Sequence, residues 1–160
     1  MTVRAADAPH AGPRDFTLKR VVNAPRERVF QAFVEPERMK QWWAPRGYRM
    51  LSCTLDLREG GAWRMRIRSQ DTGEVLSETG IYRTIHAPTC LAFTHSWVRA
   101  DGTLTHPTLV TVDFADRHGK TEISFRQTDF PSPDACQLHE EGWGSSLDLL
   151  SEYIDRRKAT

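Results

Sequence analysis

From Tyr48 to Thr128 apolar and polar residues alternate with a period of two, and turn chemistry punctuates the alternation at Gly60-Gly61, Asp71-Thr72-Gly73, Ala87-Pro88, Asp101-Gly102 and His118-Gly119. Such alternation marks half-buried strands, and short glycine- or proline-containing breaks between them mark hairpins. The spacing predicts six consecutive antiparallel strands over about 48–58, 61–69, 74–85, 90–99, 107–115 and 120–128. Upstream, Phe16, Leu18, Arg20 and Val22 share one face of FTLKRVVNA, a further strand that ends at Asn23. Pro25 suits the first turn of a helix, whose apolar stripe is Val29, Phe30 and Phe33. Glu35-Pro36 interrupts that helix, PERMKQWW restarts a second short one, and Ala44-Pro45-Arg46-Gly47 stops it. After Pro131 and Pro133, positions 139, 143, 146, 147, 150 and 154 fall on one face of a long terminal helix.

The element order is strand, two short helices, six strands, long helix, which is an α+β pattern. One antiparallel sheet with an apolar face needs a cover, and the terminal helix supplies it, with the short helices closing one end. The middle of that helix reads HEEGWGSSLDLLSEYI from His139 to Ile154. Gly142 and Gly144 would each cost about 1 kcal/mol relative to alanine there. Small residues at 142 and 144–146 therefore imply a space between helix and sheet. Residues 1–13 mix Ala, Pro, Gly and charge without periodicity and are expected to form a flexible tail, leaving 14–157 as a single domain.

Composition narrows the function classes. The 22 Lys and Arg balance 21 Asp and Glu, so no global field draws in nucleic acid or an anionic membrane, and neither is expected as a partner. Cys53, Cys90 and Cys136 are scattered, without C-x-x-C spacing, so they indicate neither a disulfide framework nor a zinc site and fit a reducing cytoplasm. No apolar run approaches the length of about 20 residues that spans a bilayer. No G-x-S-x-G elbow, H-E-x-x-H pair or P-loop occurs, so no catalytic residue, metal ligand or cofactor is assigned.

Strand phases nominate the residues of the inner face. Trp63, Met65 and Ile67 alternate with Arg64, Arg66 and Arg68, which puts the apolar set inward as plain core or as cavity lining, and the arginines on a solvated outer face. Phe93, His95 and Trp97 share one face of a later strand, where His95 is either a ligand anchor or a core histidine satisfied by a neighbour. Tyr82, Phe125 and Gln127 also face inward, and a buried Gln127 amide would need partners. Trp42 and Trp43 are adjacent on a short helix and are not expected to point inward together; one is expected to cap the cavity mouth while the other packs or lies exposed. His139 and Trp143 lie one turn apart on the inner face of the terminal helix.

Four blocks in this order, RVVNAPRERVFQAFVEPERMKQWWAPRGY, DLREGGAWRMRI, GIYRTIHAPTCLAFTHSW and HEEGWGSSLDLL, resemble the START-like (SRPBCC) superfamily, specifically the group named after the activator of heat-shock protein 90 ATPase. The resemblance covers residues 15 to 156 and implies a helix-grip fold with an apolar cavity between sheet and terminal helix. It also implies a function among carriers, sequestering proteins, cyclases and co-chaperone domains, which share the fold. The favoured expectation is a non-enzymatic module that binds a small hydrophobic or aromatic molecule in a carrier, sequestration or stress-related role. Two alternatives stay open: a polyketide cyclase or hydratase using His95, and a chaperone-interacting domain. The chain is also compatible with a homodimer.

Overall fold

The computed structural model describes residues 12–159, so most of the tail expected at 1–13 lies outside the described residues. Seven strands, β1 (Phe16–Val22), β2 (Tyr48–Leu55), β3 (Ala62–Ser69), β4 (Val75–His86), β5 (Cys90–Val98), β6 (Thr108–Arg117) and β7 (Lys120–Thr128), form one antiparallel sheet in the order β1-β7-β6-β5-β4-β3-β2. Consecutive hairpins build β2 to β7, and β1 joins the far edge against β7, with Phe16 opposite Gln127 and Val22 opposite Thr121. The sheet curls as a half-barrel around α3 (Pro133–Ala159), while α1 (Arg26–Val34) and α2 (Pro36–Met39) close one end. This is the helix-grip arrangement.

Burial follows the period in each element. In β3 the pattern alternates strictly, with Trp63, Met65 and Ile67 buried and the three arginines exposed. Leu147, Leu150 and Ile154 of α3 pack into the curl. Phe30 and Phe33 of α1 meet Phe114 of β6 with ring centroids 5.4 and 5.2 Å apart. Two ion pairs pin α3 from outside, Arg20 to Asp148 at 3.0 Å and Arg46 to Glu152.

The second short helix departs from expectation. It stops at Met39 instead of running through the tryptophans, and the chain turns over residues 40–42. That turn lets both adjacent indoles point inward, against expectation: their ring centroids are 5.5 Å apart and they are 1% and 4% exposed. Trp42 packs on Phe33 and donates its indole N–H to the Ala32 carbonyl at 2.9 Å. Trp43 packs against Trp42 on one side and against Trp63, Phe93 and Trp143 on the others.

Candidate functional site

Between the first half of α3 and the inner faces of β3 to β6 lies a cavity of about 710 Å³. Its walls are mainly apolar and aromatic, with Trp43, Ile67, Leu76, Trp97, Phe130 and Trp143 prominent. Gly142 explains how α3 leaves the room. A Cβ built there meets nothing within 4 Å, and the residue faces the cavity. Gly144 and Ser145 do not serve that purpose. Gly144 faces the Arg20 guanidinium, 3.7 Å from its Cβ position, and the Ser145 hydroxyl accepts the Arg46 backbone N–H at 3.0 Å. Ser146 does line the cavity, yet its hydroxyl is tied to the Trp43 carbonyl at 2.7 Å.

Five of the residues nominated from sequence line this space: Trp43, His95, Trp97, His139 and Trp143. The other seven do not. Trp42, Trp63, Met65, Tyr82, Phe93, Phe125 and Gln127 are buried in the packed core behind the wall. The inward phase of their strands is as expected, but at the levels where Trp43 and Trp143 fill the curl an inward side chain meets another side chain. Trp143 lies 4.5 Å from the Phe125 ring, and Trp63 stacks edge-on to Phe93 at 5.6 Å. Trp63 also donates to the Thr94 carbonyl across β4 at 3.2 Å, which Gly80 allows by having no side chain.

A polar set interrupts the apolar wall. Glu78 of β4 and His95 of β5, 4% and 2% exposed, are joined through Oε1 and Nε2 at 2.9 Å. Trp97 donates its indole N–H to Nε2 of His139 at 3.0 Å. The indole only donates, so His139 is neutral with its proton on Nδ1. Burial, reinforced by His95, pushes the His139 imidazole down to about 3. The two histidine rings stand edge to face with centroids 5.1 Å apart.

Glu78 escaped the sequence reading although a signal was present. Tyr82 faces inward, and stepping back by two along β4 reaches Gly80, Glu78 and Leu76 on the same face. Thr108 follows in the same way from Val110 and Val112 of β6. The strand hides this because its outward Ile81 is apolar while its inward Glu78 is charged.

Other chemistry finds little support here. Burial pushes the Cys53 thiol up to about 11, and raises Cys90 and Cys136 as well, which works against a thiolate nucleophile. Among the described residues no group of three or more His, Cys, Asp or Glu is placed to hold a metal ion. Among the described residues no helix is long and apolar enough to cross a membrane.

Comparison with known proteins gives a consistent picture. The family model described as Activator of Hsp90 ATPase homolog 1-like protein matches residues 23–155. Among solved structures, a Chromobacterium violaceum protein is 28% identical with a TM-score of 0.76, covering 89% of this chain and 97% of its own. The AHSA1 protein from Silicibacter pomeroyi is 22% identical with a TM-score of 0.80, covering 89% and 99%. A protein from Arthrobacter aurescens reaches 0.81 at 20% identity, covering 89% and 87%. These last two show the fold alone. No curated protein matches the chain.

Proposed function

Because the chain belongs to the family of Activator of Hsp90 ATPase homolog 1-like proteins, within the START-like superfamily, we propose that it is a non-enzymatic binding module for a small apolar or aromatic molecule held between the sheet and α3. The observation that carries this reading is the cavity of about 710 Å³ with open space over Gly142. Its size falls in the range of small-molecule sites, roughly 300–1,000 Å³, and its few polar groups on an apolar wall are the usual composition of one. Three free cysteines support a cytoplasmic setting. One observation favours a second reading, proton transfer by His95: a carboxylate behind an imidazole is an arrangement that general bases use.

The binding reading is tested by titrating the neutral dye N-phenyl-1-naphthylamine into wild type, Gly142→Leu and Gly144→Ala. The Cβ of a leucine at 142 meets nothing within 4 Å and its side chain takes up cavity space, whereas alanine at 144 faces Arg20. Both replace a helical glycine and should raise thermal stability, by about 1 kcal/mol for the alanine. Saturable binding to wild type and Gly144→Ala, weakened about tenfold or more in Gly142→Leu, is the expected result. Equal binding by all three, or none by wild type, contradicts it.

A further inference from the structure

A belt of polar side chains crosses the inner face at one level of the sheet. Glu78 stands on β4, His95 on β5, Thr108 on β6 and Gln127 on β7, all at 5% exposure or less. His95 lies directly opposite Thr108 in the ladder. The Gln127 amide donates to the Thr108 hydroxyl at 2.8 Å, and that hydroxyl donates to the His95 carbonyl at 3.2 Å. Apolar residues at these positions would close the core at lower cost, since buried polar groups are unfavourable unless fully partnered. Among the described residues Oε1 of Gln127, in the packed core, has no partner, and at the cavity end no hydrogen bond engages Nδ1 of His95.

The direction of its hydrogen bonds fixes what could bind there. A carboxylate only accepts, so the His95 Nε2–H donates to Glu78, and in the uncharged form of that tautomer Nδ1 presents a lone pair. No hydrogen bond engages that nitrogen among the described residues, and His95 lines the cavity. The neighbouring His139 ring cannot supply a donor through Nε2, which accepts from Trp97. A ligand that meets this acceptor donates to it. Beside Glu78 an anion would meet that carboxylate, while Arg99 of the same lining lies four residues along the chain from His95 and donates instead to Thr103 and to the Leu104 carbonyl. An ammonium would lose its hydration on entering a wall of Trp97, Phe130 and Trp143, so a neutral ligand fits this point.

We infer that the cavity selects neutral aromatic compounds bearing a hydroxyl group, the hydroxyl donating to Nδ1 of His95 while Glu78 holds that imidazole in the accepting tautomer. This rests on the binding reading above and names the ligand class of the same site. Glu78 is a positioning residue, because it acts through His95.

The test compares 1-hydroxypyrene, 1-methoxypyrene and 1-pyrenecarboxylate by fluorescence titration at about neutral pH. They share one ring system and differ in being a donor, a neutral acceptor and an anion. Wild type should bind the hydroxyl compound about five- to tenfold tighter than the methoxy compound, the worth of one hydrogen bond, and the carboxylate weakest. In Glu78→Gln the amide can donate as well as accept, the His95 tautomer is released, and the preference should collapse while methoxypyrene affinity is retained. A merely structural Glu78 would lower all affinities together. If wild type binds hydroxyl and methoxy compounds equally, or favours the carboxylate, this inference is overturned and the cavity reading stands. If none of the three binds, both fall.

Discussion

His139 shows how much one position in the fold changes a side chain's chemistry. On the helix it is an ordinary surface-compatible residue; docked against Trp97 and His95 it cannot easily carry a proton, and burial lowers it to about 3 from 6.5. The unfolded chain takes up a proton as pH falls through 6.5, whereas the folded chain resists until about 3, so the unfolded state binds more protons across that window and stability falls with acidification. At its steepest this one group contributes about 1.4 kcal/mol per pH unit. His139→Gln keeps an acceptor for the Trp97 indole but does not titrate. Urea unfolding between about pH 6 and about pH 4 should therefore show a shallower loss of stability in His139→Gln than in wild type, and equal slopes would contradict the neutral-imidazole account. The sequence carried the position of His139 on the inner face, but not its partner, because Trp97 lies 42 residues away and only the curl of the sheet brings them together.

Among the elements, β4 is the one whose pattern misleads. Its inner face carries Leu76, Glu78, Gly80 and Tyr82 while apolar Ile81 points out at 39% exposure, so hydrophobicity alone assigns the wrong face to half the strand. Register settles it. Thr79 pairs with Ser96 and Tyr82 with Phe93, and the irregularity after Tyr82 shifts the rest of the hairpin by one. At Gly80 a Cβ would lie 1.7 Å from the Thr94 carbonyl oxygen and 2.5 Å from the Trp63 indole nitrogen. Backbone on one side and a buried indole on the other leave no cheap way to yield. Gly80→Ala should cost more than about 3 kcal/mol or prevent folding, read as the thermal midpoint, and a midpoint within a few degrees of wild type would show that the hairpin adjusts. By contrast α1, β3, β7 and α3 were legible from period alone, because each has one wet and one dry face. The second short helix was not, since its end at Met39 comes from tertiary packing of Trp42 and Trp43, which a local pattern cannot see.

At the scale of the molecule, the alternation of the strands and the single long helix were enough to call for a sheet gripping that helix, and the structural neighbours share this fold. The division of the inner face into packed core and cavity was beyond the sequence. Period two marks a side chain as inward whether it meets an indole or empty space, and Trp43 and Trp143 decide which: behind them Trp63, Phe93 and Phe125 are core, and on their other side His95 and Trp97 face the cavity. The chain's five tryptophans divide accordingly, with Trp43, Trp97 and Trp143 on the cavity and Trp42 and Trp63 away from it. Removing several of them together would dismantle the core, so the division is best read with all five in place.

The most direct measurement of a ligand held between the sheet and α3 is fluorine NMR of protein labelled with 5-fluorotryptophan, each resonance assigned by a single Trp→Phe variant, during titration with N-phenyl-1-naphthylamine. Bound ligand changes the surroundings of an indole only where the two meet. The account expects saturable shifts at Trp43, Trp97 and Trp143, with Trp42 nearly unmoved and Trp63 moving less than its neighbour Trp43. Saturable dye binding that leaves Trp97 and Trp143 in place, or that moves Trp42 as far as either, would contradict a site inside the grip.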